Sequence, residues 1–362
     1  MTMRTHRFVA MGAATLVALS ACAPAGDSGG GASSSASAPS ASSAVAVATP
    51  GPGEFANPVI RQDFPDPFLL NVDGVYHAYA TGFQRSTSTD LVDWETPLRL
   101  TVTSEWAFRD FWAPEVAVTS AGYVMYYTGR SSLDTSGEDT AQCIGRAVAP
   151  TPEGPFVDEL AEPLVCQPDL GGSIDATTFL DADGTLYLLW KNDGNCCGAP
   201  VDLWIAPMSP DGLTLTGQAT SLGVTNDEAW EGGLIEAPTL WLHEGTYYLF
   251  FSANAYYNAD YAMGYATSDT VTGPYVDAPE NPILHSDFSE LMDNPEQQAA
   301  GPGHQSIVAD DDGDLWLAYH AWDRDAIGPD RAGKRSTWID ELVFEDGKPI
   351  ILGPDSGPQP VP

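Results

Sequence analysis

The stretch NPVIRQDFPDPFLLNVDGVYHAYATG, residues 57–82, sets the plan of the chain. Its second half reads as an apolar run, an Asp73-Gly74 turn and an aromatic-rich run, the pattern of a β-hairpin. Its first half places Asp66 between Pro65 and Pro67 at the entry of the first strand. Proline has no backbone donor and suits a strand's entry better than its interior. A residue before proline is steered toward extended geometry, so Asp66 is expected to be extended and restrained.

Four further segments repeat this plan: PEVAVTSAGYVMYYTG from Pro114, DATTFLDADGTLYLLWK from Asp175, EAPTLWLHEGTYYLFFS from Glu236 and HQSIVADDDGDLWLAYH from His304. The turn glycines are Gly74, Gly122, Gly184, Gly245 and Gly313, at the spacing of large propeller blades. Later in two units, IGRAVAPTPEGPFVDE and MGYATSDTVTGPYVDA carry Gly-Pro-aromatic at the same place. No long segment has helical periodicity. Four strands in each of five units predict an all-β, five-bladed β-propeller, against the alternative of a sandwich of short strands. The Asp-rich runs at 181–184 and 310–314 fall on the hairpin turns and lack the spaced ligands and closing Glu of a calcium loop.

In a propeller the innermost strands line the axis, and their entry ends meet on one face. Asp66, Asp175, Glu236 and His304 would converge there, with Glu115 offset by about one residue from the register.

The N-terminal part has another character. Arg4 and Arg7 precede an apolar run from Phe8 to Leu19, a secretory signal pattern for residues 1–21. Residues 22–53 are dominated by Ser, Ala, Gly and Pro, which cannot bury enough apolar surface to offset ordering entropy, and read as a disordered linker. Residues 54–362 are left for the propeller. A net charge of −36, from 50 acidic and 14 basic residues, disfavours nucleic acid, anionic lipid and polyanionic substrates, and leaves neutral ligands open. Beyond Cys22 there are four cysteines, an even count that suits an exported chain with two disulfides. Three pairings are open; Cys143–Cys166 is favoured because each lies beside a strand of one expected hairpin, which would leave Cys196–Cys197. Zinc is disfavoured for want of a second ligand pair.

Leu19-Ser20-Ala21-Cys22 resembles the lipobox of bacterial lipoproteins, which implies lipid on Cys22 and an exported, membrane-tethered protein; simple secretion is the alternative. The remainder resembles glycoside hydrolase family 43 in the order of its motifs. NPVIRQDFPDP resembles the opening motif with the general base, which implies that role for Asp66. SIDATTF implies the accessory carboxylate, tuning and orienting the acid, on Asp175, and IEAPTLW the general acid on Glu236. GPGHQSIV implies that His304 lies near a calcium ion in the central channel. FWAPEV resembles the pocket-forming segment of the second blade, and Arg335 in AGKRSTW lies where the family often has an arginine reaching the pocket although its flanking residues depart from the pattern, which puts Trp112, Glu115 and Arg335 forward for substrate binding; the segments 191–200 and 252–261 are expected at the pocket rim. No cofactor is implied for the chemistry itself.

Hydrolysis with inversion needs one carboxylic acid for the leaving oxygen and one carboxylate for water, roughly 6.5–9.5 Å apart. A third carboxylate can hold the acid protonated. The resemblance implies a monomeric arabinofuranosidase or exo-arabinanase acting on neutral pentose-containing glycan. A β-xylosidase on the same scaffold is the alternative, and a non-catalytic glycan-binding lipoprotein a more distant one.

Overall fold

The computed structural model describes residues 49–131, 141–286 and 297–362. The signal pattern, Cys22 and the linker up to residue 48 lie outside the described residues.

Five antiparallel sheets follow one another along the chain. Their inner strands are Phe68–Val72, Trp112–Thr119, Ser173–Leu180, Ile235–His243 and Ala299–Ala309, in blades one to five. Each inner strand turns back on its neighbour at one of the five glycines anticipated from the repeat. All five adopt left-handed backbone, from φ 81° at Gly74 to φ 107° at Gly122. Asp73 and Glu244, each just before its glycine, also have positive φ, as a tight two-residue hairpin turn requires. Four strands per blade is the rule; blade two gains a fifth, Val102–Thr103, paired parallel to its outermost strand Phe156–Val157.

Five apolar clusters lie one at each blade junction. Leu189 and Leu203 of blade three meet Leu240 and Phe251 of blade four, for example, and Leu69 and Tyr76 of blade one meet Val308 and Trp316 of blade five. The aromatic residues of the two Gly-Pro-aromatic motifs, Phe156 and Tyr275, are both buried in such clusters. Each fully buried large side chain contributes on the order of 1.5–3 kcal/mol, so the ring is held mainly between blades.

Closure uses the two ends of the described propeller. Glu54–Phe55 pairs with Gln359–Pro360, and Val59 and Ile60 bond the backbone of Thr337 in blade five. The Asn57 amide donates to the Ile339 carbonyl at 2.7 Å and accepts the Ile339 N–H at 2.9 Å. Along the axis, hydroxyls of the inner strands bridge four of the five blade junctions. Thr178 donates to Glu115, Thr177 to the Pro238 carbonyl, Thr239 to the Gln305 carbonyl and Ser306 to the Pro67 carbonyl. The channel is thereby a polar, cross-linked shaft.

Candidate active site

One backbone feature recurs at the mouth of the shaft. Asp66, Ala113, Asp175, Ala237 and His304, one per blade, all have left-handed backbone with φ between 41° and 58°. In blades two to five the hairpin register slips beside this residue. The expectation of extended geometry at Asp66 therefore fails. The preference imposed by Pro67 is overridden at the strand entry, where Asp66 takes the same left-handed backbone as its counterparts although blade one has no register slip. Left-handed Asp and His are tolerated more readily than most residues, and the conformation aims their side chains at the axis. Glu236 is one residue ahead of this ring, in register with Trp112 and Ile174. All three line an outer pocket of about 580 Å³, and Asp66, Asp175 and His304 line both that pocket and the channel of about 280 Å³ beneath it.

Asp66 is buried and surrounded by cationic or neutral-donor groups. Its Oδ1 accepts from Arg335 Nη1 at 2.9 Å and lies 3.4 Å from His304 Nδ1. Its Oδ2 accepts from the Thr81 hydroxyl at 2.5 Å. Burial alone would raise its pKa. The Arg335 guanidinium, with His304 and His320, outweighs burial and holds the carboxyl well below the ordinary value near 3.8. His320 is fully buried, which pushes its imidazole down to about 4. Its Nδ1 is 3.2 Å from both the Asp66 amide nitrogen and Oδ1. A neutral ring has one proton, so Nδ1 serves one of these partners at a time.

Glu236 faces different partners. Tyr261 donates its hydroxyl proton to Oε1 at 2.8 Å, and Lys191 Nζ donates to Oε2 at 3.2 Å. Lys191 is itself fully buried and lies 3.8 Å from Asp193 Oδ1. Asp175 does not touch the Glu236 carboxyl through a hydrogen bond. Its Oδ2 accepts the N–H of Ala237, the next residue in the chain, at 3.1 Å, and so fixes the backbone that carries Glu236. Burial raises the Asp175 carboxyl, helped by the nearby charges of Glu236 and Asp66 and opposed by His304 and Lys191.

Of the other candidates, Trp112 and Arg335 line the outer pocket. Arg335 also lies 4.7 Å above the Tyr256 ring, which fixes its guanidinium between Asp66 and the pocket wall. Glu115 lines the channel beneath and is not part of the outer pocket wall. There its Oε1 accepts both the N–H and the hydroxyl of Thr178, and burial pushes its pKa up to about 8. His304 turns Nδ1 toward Asp66. No group of three or more His, Cys, Asp or Glu suited to a metal occurs among the described residues. Calcium takes six to eight oxygen ligands, and one imidazole does not supply that set, so no chemical step is routed through a metal here. Cys143 is joined to Cys166, and Cys196 to Cys197.

Lys191 and Tyr261 lie at the ends of the two segments expected at the pocket rim, 191–200 and 252–261, without a role assigned to either; His320 and Thr81 were not among the candidates. Lys191 and His320 did leave a signal: each is a lone basic residue within a largely apolar strand, Leu186–Asn192 and Leu315–Asp323. Thr81 left none, because ordinary turn positions use the same residue type.

The sequence model of Glycosyl hydrolases family 43 matches residues 55–349. A β-D-galactofuranosidase of Aspergillus niger is 26% identical over 313 residues, covering 83% of this chain and 82% of that protein. An extracellular endo-α-(1→5)-L-arabinanase of Bacillus subtilis is 25% identical over 281 residues, 73% of this chain and 81% of that protein. Among solved structures, a thermostable family-43 glycoside hydrolase superposes with a TM-score of 0.73 at 32% identity, covering 85% of this chain and 99% of that one.

Proposed function

The chain belongs to glycosyl hydrolase family 43 and is a glycosidase, and from that premise we propose that it releases arabinofuranosyl units from arabinan or arabinose-substituted plant glycan. The observation that carries the assignment of roles is the contrast between Asp66 and Glu236 within one pocket. Asp66 stays ionised beside Arg335 and activates water against the sugar carbon. Glu236 donates a proton to the leaving oxygen. Lys191 and Tyr261 then meet the carboxylate that proton transfer leaves behind. Asp175 sets the approach of Glu236 through the Ala237 amide and adds negative charge behind it. Direct attack of that water on the sugar carbon, with no covalent glycosyl intermediate, gives inversion.

The furanoside reading draws on the two relatives above, one named for galactofuranosides and one for arabinan. The acidic chain suits a neutral glycan. Export by the N-terminal signal pattern, with a lipid on Cys22, is part of the same proposal. It accords with the extracellular arabinanase, and metabolic labelling with a fatty acid would test the anchor.

Product analysis on arabino- and xylo-oligosaccharides, with Glu236→Ala as control, tests the substrate. Arabinose released only by the unmutated chain is the expected result, and NMR of the first-formed anomer should show inversion. Xylose alone would move the assignment to β-xylosidase with the same carboxylates. No pentose from either series would overturn the substrate reading.

A further inference from the structure

The pocket mouth carries a covalent feature that the carboxylate chemistry does not use. Cys196 and Cys197, adjacent in sequence, are joined to each other as a disulfide. Both are exposed, and Cys196 lines the outer pocket together with Glu236, Tyr256 and Tyr257. The turn that presents them is held independently of the sulfur bond. The Asn192 side chain donates to the carbonyls of Leu170 and Pro200 at 3.0 and 2.9 Å, and accepts from the Asp202 N–H at 2.8 Å and the Trp204 indole at 3.1 Å. The backbone is also packed without room for a side chain. A Cβ on Gly194 would fall 2.3 Å from the Pro200 carbonyl oxygen, and one on Gly171 2.3 Å from that of Asp193.

The turn thus has two chemical faces. Its entry strand delivers Lys191 to Glu236, with Asp193 close to the same ammonium. Its tip offers two methylenes and two sulfurs. An oxidised disulfide has no S–H to donate, and its sulfurs are weak acceptors but polarisable. Such a plate offers little to a hydroxyl and favours C–H groups. The neighbouring rings of Tyr256 and Tyr257, 40% and 57% exposed, extend the apolar surface at the mouth. Apolar surface left exposed at the entrance of a pocket, on a turn this firmly fixed, is what a ligand with a C–H face would cover.

We propose that the Cys196–Cys197 disulfide is an apolar platform that receives the C–H face of a substrate sugar at the mouth of the outer pocket. The inference rests on the pentosidase reading above and adds a specificity element to it. The platform acts on binding and not on proton transfer, because neither sulfur reaches the reacting carboxylates through a hydrogen bond. Removing it should therefore raise KM and spare kcat.

The test compares kinetics on the pentoside that the chain hydrolyses best. Three forms are measured: the oxidised chain, the chain after mild thiol reduction, and Cys196→Ala/Cys197→Ala. Peptide mass spectrometry verifies which cysteines have been reduced; Cys143 of the other bridge is buried but Cys166 is exposed, so the comparison uses samples in which Cys143–Cys166 stays oxidised. Expected is a rise in KM of about fivefold to tenfold, from the loss of a few tens of Å² of apolar contact, with kcat within about twofold. Reoxidation should restore KM in the reduced chain. An unchanged KM once residues 196 and 197 are shown to be reduced would overturn the platform. So would a fall in kcat at constant KM, which would assign the turn to the support of Glu236. Should the alanine pair fail to fold, Cys196→Ser/Cys197→Ser and the reversible reduction supply the same two parameters. A chain that hydrolyses no pentoside in its oxidised form would overturn the proposed substrate, and the platform with it.

Discussion

Asp66 and Glu115 are two carboxylates of one shaft, less than 10% exposed at 8% and 6%, and they end on opposite sides of neutrality. Burial pushes both upward. At Glu115 only the neutral donors of Thr178 oppose it, and the group rises to about 8. At Asp66 a guanidinium and two imidazoles oppose it, and the group falls below its ordinary value. Desolvation is common to the whole channel, so it cannot distinguish a reactive carboxylate from a structural one. The difference lies in which blade supplies the neighbour. Blade five sends Arg335, His304 and His320 to Asp66, whereas blade three sends Glu115 only a threonine.

The largest expected effect tests that contrast directly. Asp66→Asn should lower kcat by on the order of a hundredfold to ten-thousandfold, as loss of a general base does, while Glu115→Gln changes it by no more than about twofold. Steady-state kinetics on one substrate decides it, and equal losses in the two variants would end the distinction.

Next comes the source of the low pKa. Arg335→Met removes the strongest charge that favours ionised Asp66. With that cation gone, Asp66 takes up a proton at higher pH, so the acidic limb of kcat/KM should shift upward. An unshifted limb, in a variant of unaltered stability, would mean that the imidazoles suffice.

Asp175→Asn should show a smaller kinetic loss, on the order of tenfold to a hundredfold, together with a change in stability of definite sign. The Asp175 carboxyl is raised from 3.8 to about 6 in the folded chain. Between those values the folded state holds a proton that the unfolded chain has released, so stability falls as pH rises through the window. The amide has no such loss. The Tm of Asp175→Asn should therefore gain on that of the unmutated chain from about pH 4 to pH 6 and stay level above it, as differential scanning calorimetry would show.

The smallest kinetic effect belongs to Glu115→Gln, yet its stability signature is broad. The ordinary value of 4.5 and the folded value of about 8 bound the window. By the same sign, the glutamine variant should gain in relative Tm from about pH 4.5 and plateau above about pH 8. A gap independent of pH would show that Glu115 is ionised in the fold.

Much of this was legible before any coordinates. The hairpin glycines, the apolar runs and the polar entry residues are local signals, and each records the backbone or face requirement of its own position. The two disulfide pairs match the favoured pairing and its remainder. The fifth strand of blade two was not legible, because Val102-Thr103 is too short to carry a period. Nor was the one-residue offset of Glu236. Asp66, Asp175 and Glu236 look equivalent in the repeat, and only the left-handed residue at each bulge shows that Ala237, not Glu236, matches Asp66.

By itself the sequence determined five hairpin units, the turn at each glycine, and the identity of the carboxylates that open blades one, three and four. It could do so because strand alternation and turn geometry act over a few neighbouring residues. What only the tertiary structure decided is the company each carboxylate keeps. Arg335 reaches Asp66 across 269 positions, and Lys191 reaches Glu236 across 45. Closing the ring brings these charges together at the mouth of a shaft where their carboxylates are buried. There the guanidinium, with His304 and His320, reverses what burial alone would impose.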